Sequence, residues 1–273
     1  MTSSVLPISL IVITYNEAAN IARCLDSVGF AVEKIVVDCG SDDDTRAIAV
    51  AHGARVVEQP WLGFGAQRNF ASGLASHDWI LSLDADEALT PELARSLEQG
   101  LPQLLASNAA AGVLFRTAWF MGGPLRWYRL MVRERKPRIY HRARACWSEA
   151  RVHESLQYRG EEVSFEPPFM HYLNPTLVHH QLKYLRYAEL KALDWRERGR
   201  ATRGYEWPFV FMLTFLKDYV FRLAMLDGAR GWVAAYMAAD YAVYKRMRYY
   251  EMRCFERSVE LAAAELRAHK LQR

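Results

Sequence analysis

Four short apolar runs, each tied to a helix-like segment, constrain this chain more than any other feature. "ISLIVITY" (Ile8–Tyr15), "EKIVVDCG", "ARVVEQP" and "DWILSLDADE" recur through the first ninety residues. The first run scarcely alternates with polar residues, as expected of a strand buried on both faces. Between the runs, "NEAANIARCLDSV" puts Ile21, Leu25 and Val28 on one helical face. "SDDDTRAIAVAHG" reads as a helix with an acidic first turn and Gly53 as its stop, and "GAQRNFASGLASH" as another helix. "TPELARSLEQGL" adds a helix with Thr90 as N-cap and Pro91 at its first position. Such alternation predicts an α/β fold, a doubly wound, mostly parallel sheet.

The Ala-rich stretch Leu104–Phe115 blurs this pattern, and strands and loops are expected from there to about residue 175. From Thr176 onward the chain reads as helical, with "FLKDYVFRLAMLDG" ending at Gly228. The expected division is therefore an α/β domain over 1–175, in two halves, 1–110 and 111–175, and a helical extension over 176–273. With 273 residues, 51% of them hydrophobic, the chain can bury a sizeable core and is not of disordered composition. "MTSSVLPISLIVITYNE" has no basic n-region, so no secretory signal is expected. Four cysteines without CxxC spacing predict neither a disulfide framework nor a zinc site, and suit a reducing cytoplasm. The most apolar segment, Trp207–Leu216, is followed at once by Lys217 and Asp218. It falls short of the roughly 20 residues a membrane-spanning helix needs.

The apolar run Trp79–Leu83 leads straight into Asp84, Asp86 and Glu87. Burying such carboxylates unpaired is expensive, so the cluster is expected to meet a cation. In an open parallel sheet, ligands bind outside the carboxyl ends of the strands. Asn16 and Glu17 follow the first strand, Asp38 ends the second with Ser41 and Asp42 in its turn, and Asp84 and Asp86 end the strand after the third. A D-x-D alone is weak, since turn aspartates and helix caps are common. Of the acidic run 42–44, only Asp42 is kept as a functional candidate.

Taken in order, "ISLIVITYNEAANIARCLDSV", "IVVDCGSDDDT" and "ILSLDADE" resemble a family 2 glycosyltransferase of GT-A fold over residues 5–100. The resemblance implies a nucleotide-sugar donor, usually a UDP-sugar, a Mg²⁺ or Mn²⁺ ion, and inversion at the anomeric carbon. It makes Asp86 the metal ligand and has Asp84 hold the ribose or the metal's water. Asp38 would bind the base, near Thr14 and Glu17. Cys39 departs from the second acidic residue that many relatives carry there. Arg68 in "GAQRNFA" matches a motif that approaches the donor and would contact phosphate; a surface ion pair is the alternative. The chemistry agrees, because a divalent cation held by carboxylates neutralises charge on a departing diphosphate.

"EARVHESL" offers Glu149, His153 and Glu154 as acceptor-side groups, and an inverting transfer needs a base for the acceptor hydroxyl. The string VHE resembles the lipopolysaccharide-core β-1,4-glucosyltransferase subgroup, which makes Glu154 the catalytic base with His153 beside it; a structural salt bridge is the alternative. By the same resemblance His171, in "PPFMHYLN", is a third metal-ligand candidate, against a packed core histidine. Lys183 and Tyr187 share a helix face and, with "LDGARGW", also resemble that subgroup. They would contact an acceptor phosphate or close over the site, or simply pack.

Charge is divided unevenly. Residues 1–110 carry a net −8 and residues 111–273 a net +12. The basic half interleaves Trp and Tyr with Lys and Arg, which suits an anionic membrane surface, or alternatively a helical core with snorkelling cations. A dehalogenase-like phosphatase carries its D-x-D on the first strand, and "GFGAQR" lacks the third glycine of a dinucleotide motif. A nucleic-acid-binding protein would leave the acidic half without a role, so no nucleic-acid partner is expected. The expectation is a peripheral enzyme on the cytoplasmic face of the membrane, moving a hexose such as glucose from a UDP-sugar to a lipid-linked saccharide acceptor such as lipopolysaccharide inner core. A polyprenyl-phosphate or another surface polysaccharide is the alternative acceptor.

Overall fold

A computed structural model describes residues 5–128, 134–148, 154–172, 176–199 and 206–271. The chain divides into two compact units. The first comprises Met1–Trp119 and Arg133–Leu173, the second Phe120–Val132 and Asn174–Arg273.

The first unit is built on one twisted sheet. Its strands are β1 (Leu6–Thr14), β2 (Ala31–Asp38), β3 (Arg55–Glu58), β4 (Trp79–Asp84), β5 (Glu87–Ala88), β6 (Ala111–Phe120), β8 (Glu134–His141) and β11 (Glu162–Tyr172), with β7 (Gly123–Pro124) belonging to the second unit. The spatial order is β3-β2-β1-β4-β8-β6-β11-β5. The first four are mutually parallel, as the sequence predicts. β8 runs antiparallel to both of its neighbours, and β5 runs antiparallel to β11. A separate pair, β9 (Ala145–Trp147) and β10 (Leu156–Tyr158), is antiparallel.

β1 explains why the first apolar run scarcely alternates. Ile8, Leu10 and Val12 enter one core with Ile21, Leu25, Leu93, Leu97 and Leu101; Ile11 and Ile13 enter the opposite core with Ile35, Val37 and Ile80. Both faces are dry, so both need apolar side chains. The helices of this unit are α1 (Ile21–Asp26), α2 (Thr45–Ala51), α3 (Phe64–Leu74) and α4 (Pro91–Ala106). α4 starts as expected: the Thr90 hydroxyl accepts a bond from the Leu93 N–H at 3.2 Å, and Pro91 follows. α1 begins later than the sequence pattern suggests. Asn16 lies at φ 54°, in the left-handed region, and residues 16–20 form turns. Asn is among the few non-glycine residues that visit that region readily.

The second unit is helical: α5 (Leu177–Glu197), α6 (Trp207–Leu216) and α7 (Gly228–Leu271), with a π-helical turn at Lys217–Phe221 and a 3₁₀ turn at Ala224–Asp227. Gly228 is the C-cap of the 3₁₀ turn, so the segment ends there as its sequence predicts. At φ 61° it redirects the chain into the start of α7. Aromatic rings join the helices. Trp195 of α5 meets Tyr249 of α7 edge-on at 6.2 Å, and Phe215 of α6 meets Trp232 of α7 at 6.1 Å. Part of the aromatic pattern therefore serves helix packing.

Candidate active site

The parallel register brings the chemistry to one edge. Thr14 pairs with Asp38 across β1 and β2, and Ile13 pairs with Asp84 across β1 and β4, so three strand ends finish level. Ser41 and Thr45 then lock the loops beyond them. The Asn16 N–H donates to Ser41 Oγ at 2.9 Å, the Glu17 N–H donates to Thr45 Oγ1 at 2.8 Å, and the Asp42 N–H returns to Asn16 Oδ1 at 3.0 Å. Asp38 is fully buried. Its Oδ1 accepts from the Gly40 and Ser41 N–H groups at 3.0 and 2.9 Å, and its Oδ2 accepts from the Ser41 hydroxyl. Asp38 thus organises the loop that was expected to receive a base. Thr14 Oγ1 beside it is buried with no hydrogen-bond partner. Glu17 is half-buried, accepting from Asn20 Nδ2 at 2.8 Å, while Asp42 is exposed.

Arg68 is delivered by α3. A Cβ at Gly65 would lie 1.9 Å from the Ser148 carbonyl oxygen, so only glycine permits the helix to approach the end of β9 this closely. Asn69 then clamps both backbone groups of Trp147, at 2.9 and 2.8 Å. Between these anchors the Arg68 guanidinium is 3% exposed and lies 4.7 Å above the Trp147 ring. One arm donates to Asp84 Oδ1 at 2.5 Å and the other to Glu154 Oε1 at 2.7 Å. Glu154 is held next to β10, where the Ser148 N–H donates to the Ser155 carbonyl and the Ser155 N–H donates to Ser148 Oγ, each at 3.0 Å.

The carboxylates do not wait together for an external cation. Asp84 also accepts from Arg138 at 3.1 Å, and Arg138 bonds Glu87, which is itself buried. Burial opposes ionisation of Asp84, but the two guanidiniums overcome it and hold the carboxyl well below the usual range. Burial pushes Glu87 up, with Arg138 opposing and Asp84 adding to the rise. Arg138 itself is raised: burial works against its charge, and Glu87 and Asp84 outweigh it. Arg138 was not singled out from sequence. Its signal, a lone arginine in the apolar end of "KPRIY", is visible only once the carboxylates are known to need neutralising within the protein.

Asp86 is the exception, having no Lys or Arg partner among the described residues. Its Oδ2 lies 3.1 Å from His171 Nε2, with both side chains about one-sixth exposed. β11 supplies the histidine: His171 pairs with Glu87 in the sheet, and the Tyr172 N–H donates to the Asp86 carbonyl at 2.7 Å. Four carboxylates (Asp84, Asp86, Glu87 and Glu154) face two arginines, which leaves formal negative charge around a carboxylate–imidazole pair. Oxygen and nitrogen ligands each about 2.1 Å from one ion sit about 3 Å apart, so this pair fits a divalent cation. Among the described residues no third His, Cys, Asp or Glu joins them. Further ligands would come from water and a bound phosphate, as is usual for Mg²⁺. Glu149 and His153 lie outside the described residues. Lys183 and Tyr187 belong to α5 in the second unit, the first half-buried and the second exposed.

The chain is similar to several known proteins. The chain is 28% identical over 256 residues to the lipopolysaccharide core biosynthesis glycosyltransferase LpsC of Rhizobium meliloti, covering 90% of this chain and 93% of that protein. It is 52% identical over 92 residues to an uncharacterized glycosyltransferase of Rickettsia felis, a match spanning 33% of this chain and about a third, 32%, of the relative. Among solved structures, glucosyl-3-phosphoglycerate synthase from Mycobacterium tuberculosis, crystallised with Mn²⁺, UDP and glucosyl-3-phosphoglycerate, matches 45% of this chain and 46% of its own at 29% identity and a TM-score of 0.33. The family model for glycosyl transferase family 2 matches residues 9–164. The chain belongs to glycosyl transferase family 2, with a GT-A-type, mostly parallel sheet and a helical C-terminal extension.

Proposed function

We propose that the chain is an inverting, metal-dependent hexosyltransferase that moves a sugar such as glucose from a UDP-sugar to a lipid-linked saccharide, with lipopolysaccharide inner core as the favoured acceptor. The observation that carries the reading is the Asp86–His171 pair, set beside the Arg68 bridge between Asp84 and Glu154. Asp86 and His171 would hold Mg²⁺ or Mn²⁺. When bound, that ion neutralises charge on the departing nucleoside diphosphate. The protein's own groups do the rest. Arg68 fixes Glu154 through Oε1, which leaves Oε2 to take the proton from an acceptor hydroxyl. The acceptor oxygen bonds to the anomeric carbon from the face opposite the leaving phosphate oxygen. Thr14, Glu17, Asp38 and Asp42 line the donor edge, where the unpartnered Thr14 hydroxyl suits a base or ribose contact. Asp84, fixed by two arginines, holds Arg68 in place against Glu154.

Two observations favour a lipid-linked acceptor at a membrane surface. Similarity to LpsC extends over nearly the whole chain. In the second unit, α6 carries no charged residue and buries none of its ten side chains; Leu213 is 61% exposed, and Phe221 in the following turn 76%. Such a surface suits the interfacial region of a bilayer. No helix among the described residues is long and apolar enough to cross a membrane. A polyprenyl-phosphate or another surface polysaccharide is the second acceptor reading. A donor screen tests the proposal: metal-dependent release of nucleoside diphosphate is measured across nucleotide sugars with a lipid-linked core extract. Release that needs UDP-hexose, divalent metal and extract is expected. Release indifferent to metal or to extract would overturn it.

A further inference from the structure

The second unit holds a cavity of about 430 Å³ that the chemistry above does not use. It is lined by Gly122, Gly123, Arg126, Trp127, Asp227 and Arg230, with Pro124 and Leu226 completing the wall. That volume falls within the range of small-ligand sites. Asp227 gives the cavity its shape. Its Oδ1 accepts from the Arg126 N–H at 2.9 Å, and its Oδ2 accepts from the Trp127 and Tyr128 N–H groups at 3.1 and 2.7 Å. The carboxylate is therefore spent on backbone, and it pins the loop that carries Arg126 and Trp127 to the start of α7.

The two arginines are left without carboxylate partners among the described residues. Arg230 is nevertheless seated. A Cβ at Gly123 would lie 2.5 Å from its Nη1, so the guanidinium rests on bare backbone. Trp127 is 46% exposed on the same wall. Two guanidiniums against the one Asp227 carboxylate leave net positive charge at a helix start, beside an open indole face, and make an anion site with room for a ring. An arginine fork matches phosphate oxygens in geometry as well as charge.

We propose that this cavity binds a phosphate group carried on a saccharide or on a lipid headgroup, with Arg126 and Arg230 gripping the phosphate and Trp127 stacking on the attached group. The inference deepens the lipid-linked acceptor reading, and it is tested without turnover. The full chain is titrated calorimetrically with glucose 6-phosphate, glucose and inorganic phosphate, and floated with phosphatidylcholine vesicles with or without phosphatidylglycerol. Two variants are compared, R126Q/R230Q and G123A, the second chosen to displace the Arg230 guanidinium while keeping its charge. Thermal unfolding checks that each is folded.

Glucose 6-phosphate is expected to bind at least about tenfold more tightly than glucose, and both variants to lose about that factor. This result assigns the site to a sugar phosphate. Loss confined to phosphatidylglycerol vesicles assigns it to a headgroup. Folded variants that bind every probe as the parent does, or a parent that binds none, overturn the proposal. The lipid-linked acceptor reading stands or falls separately, on extract-dependent turnover by the parent protein.

Discussion

His171 and Asp86, 85 positions apart in sequence, meet with Nε2 and Oδ2 3.1 Å apart because β11 pairs its last residues with the short strand that follows the D-x-D. Buried arginines partner the neighbouring carboxylates, and among the described residues no Lys or Arg reaches this pair. The proposed division of labour has Arg68 and Arg138 hold the framework and Asp86 with His171 take the cation.

Glu154 is expected to act in the chemical step and not in donor capture. Glu154→Gln keeps the hydrogen bond to Arg68 but removes the basic oxygen. Turnover should fall by roughly 10²–10⁴-fold while donor affinity changes little. Single-turnover rates set beside calorimetric UDP-sugar binding check this. Near-normal rates would move the base elsewhere.

Arg138 is expected to be a stability residue. Arg138→Met strands Glu87 and Asp84 without one of their cations and should cost about 3–5 kcal/mol in denaturant unfolding. Adding Glu87→Gln should recover part of that loss, because the stranded charge is removed with its partner. If the double variant is no more stable than Arg138→Met, the pair is not coupled as the geometry implies.

Acid should weaken the strand pair β6–β8. Burial pushes the Glu134 carboxyl up, but bonds to Lys136 and Arg116 prevail and bring it down to about 2. Its folded value lies below the unfolded one, so its contribution is complete above about pH 5 and is lost as pH falls toward 2. Glu134→Gln should cost roughly 1 kcal/mol at pH 7, allowing for solvent screening, and the gap to the parent should close between about pH 4 and pH 2. Urea midpoints across that range measure it. A gap that widens on acidification would contradict the sign.

The donor-side sheet was legible in sequence because β-branched runs and helix caps are local signals. Ile8 to Thr14 declares a strand buried on both faces, and Thr90–Pro91 declares a helix start. The site was legible in part. Asp84 and Asp86 stand out where a strand ends, whereas Glu154 and His171 came from resemblance to a family. What stayed hidden is long-range pairing. Nothing near Arg138 announces that Asp84 and Glu87 lie across the sheet, and nothing in "GAQRNFA" says that Gly65 and Asn69 dock on Trp147 and Ser148. Nor does the mixed direction of β8 and β5 leave a local trace. These depend on which strands become neighbours, and the whole chain decides that.

Mn²⁺ binding in the presence of UDP, followed by electron paramagnetic resonance on the parent and on Asp86→Ala and His171→Ala, tests the central claim most directly. Each substitution should weaken the Mn²⁺–UDP complex by at least about tenfold with the fold intact, a loss typical of removing one ligand contact. Unchanged Mn²⁺ affinity in both folded variants would show that this pair does not hold the ion.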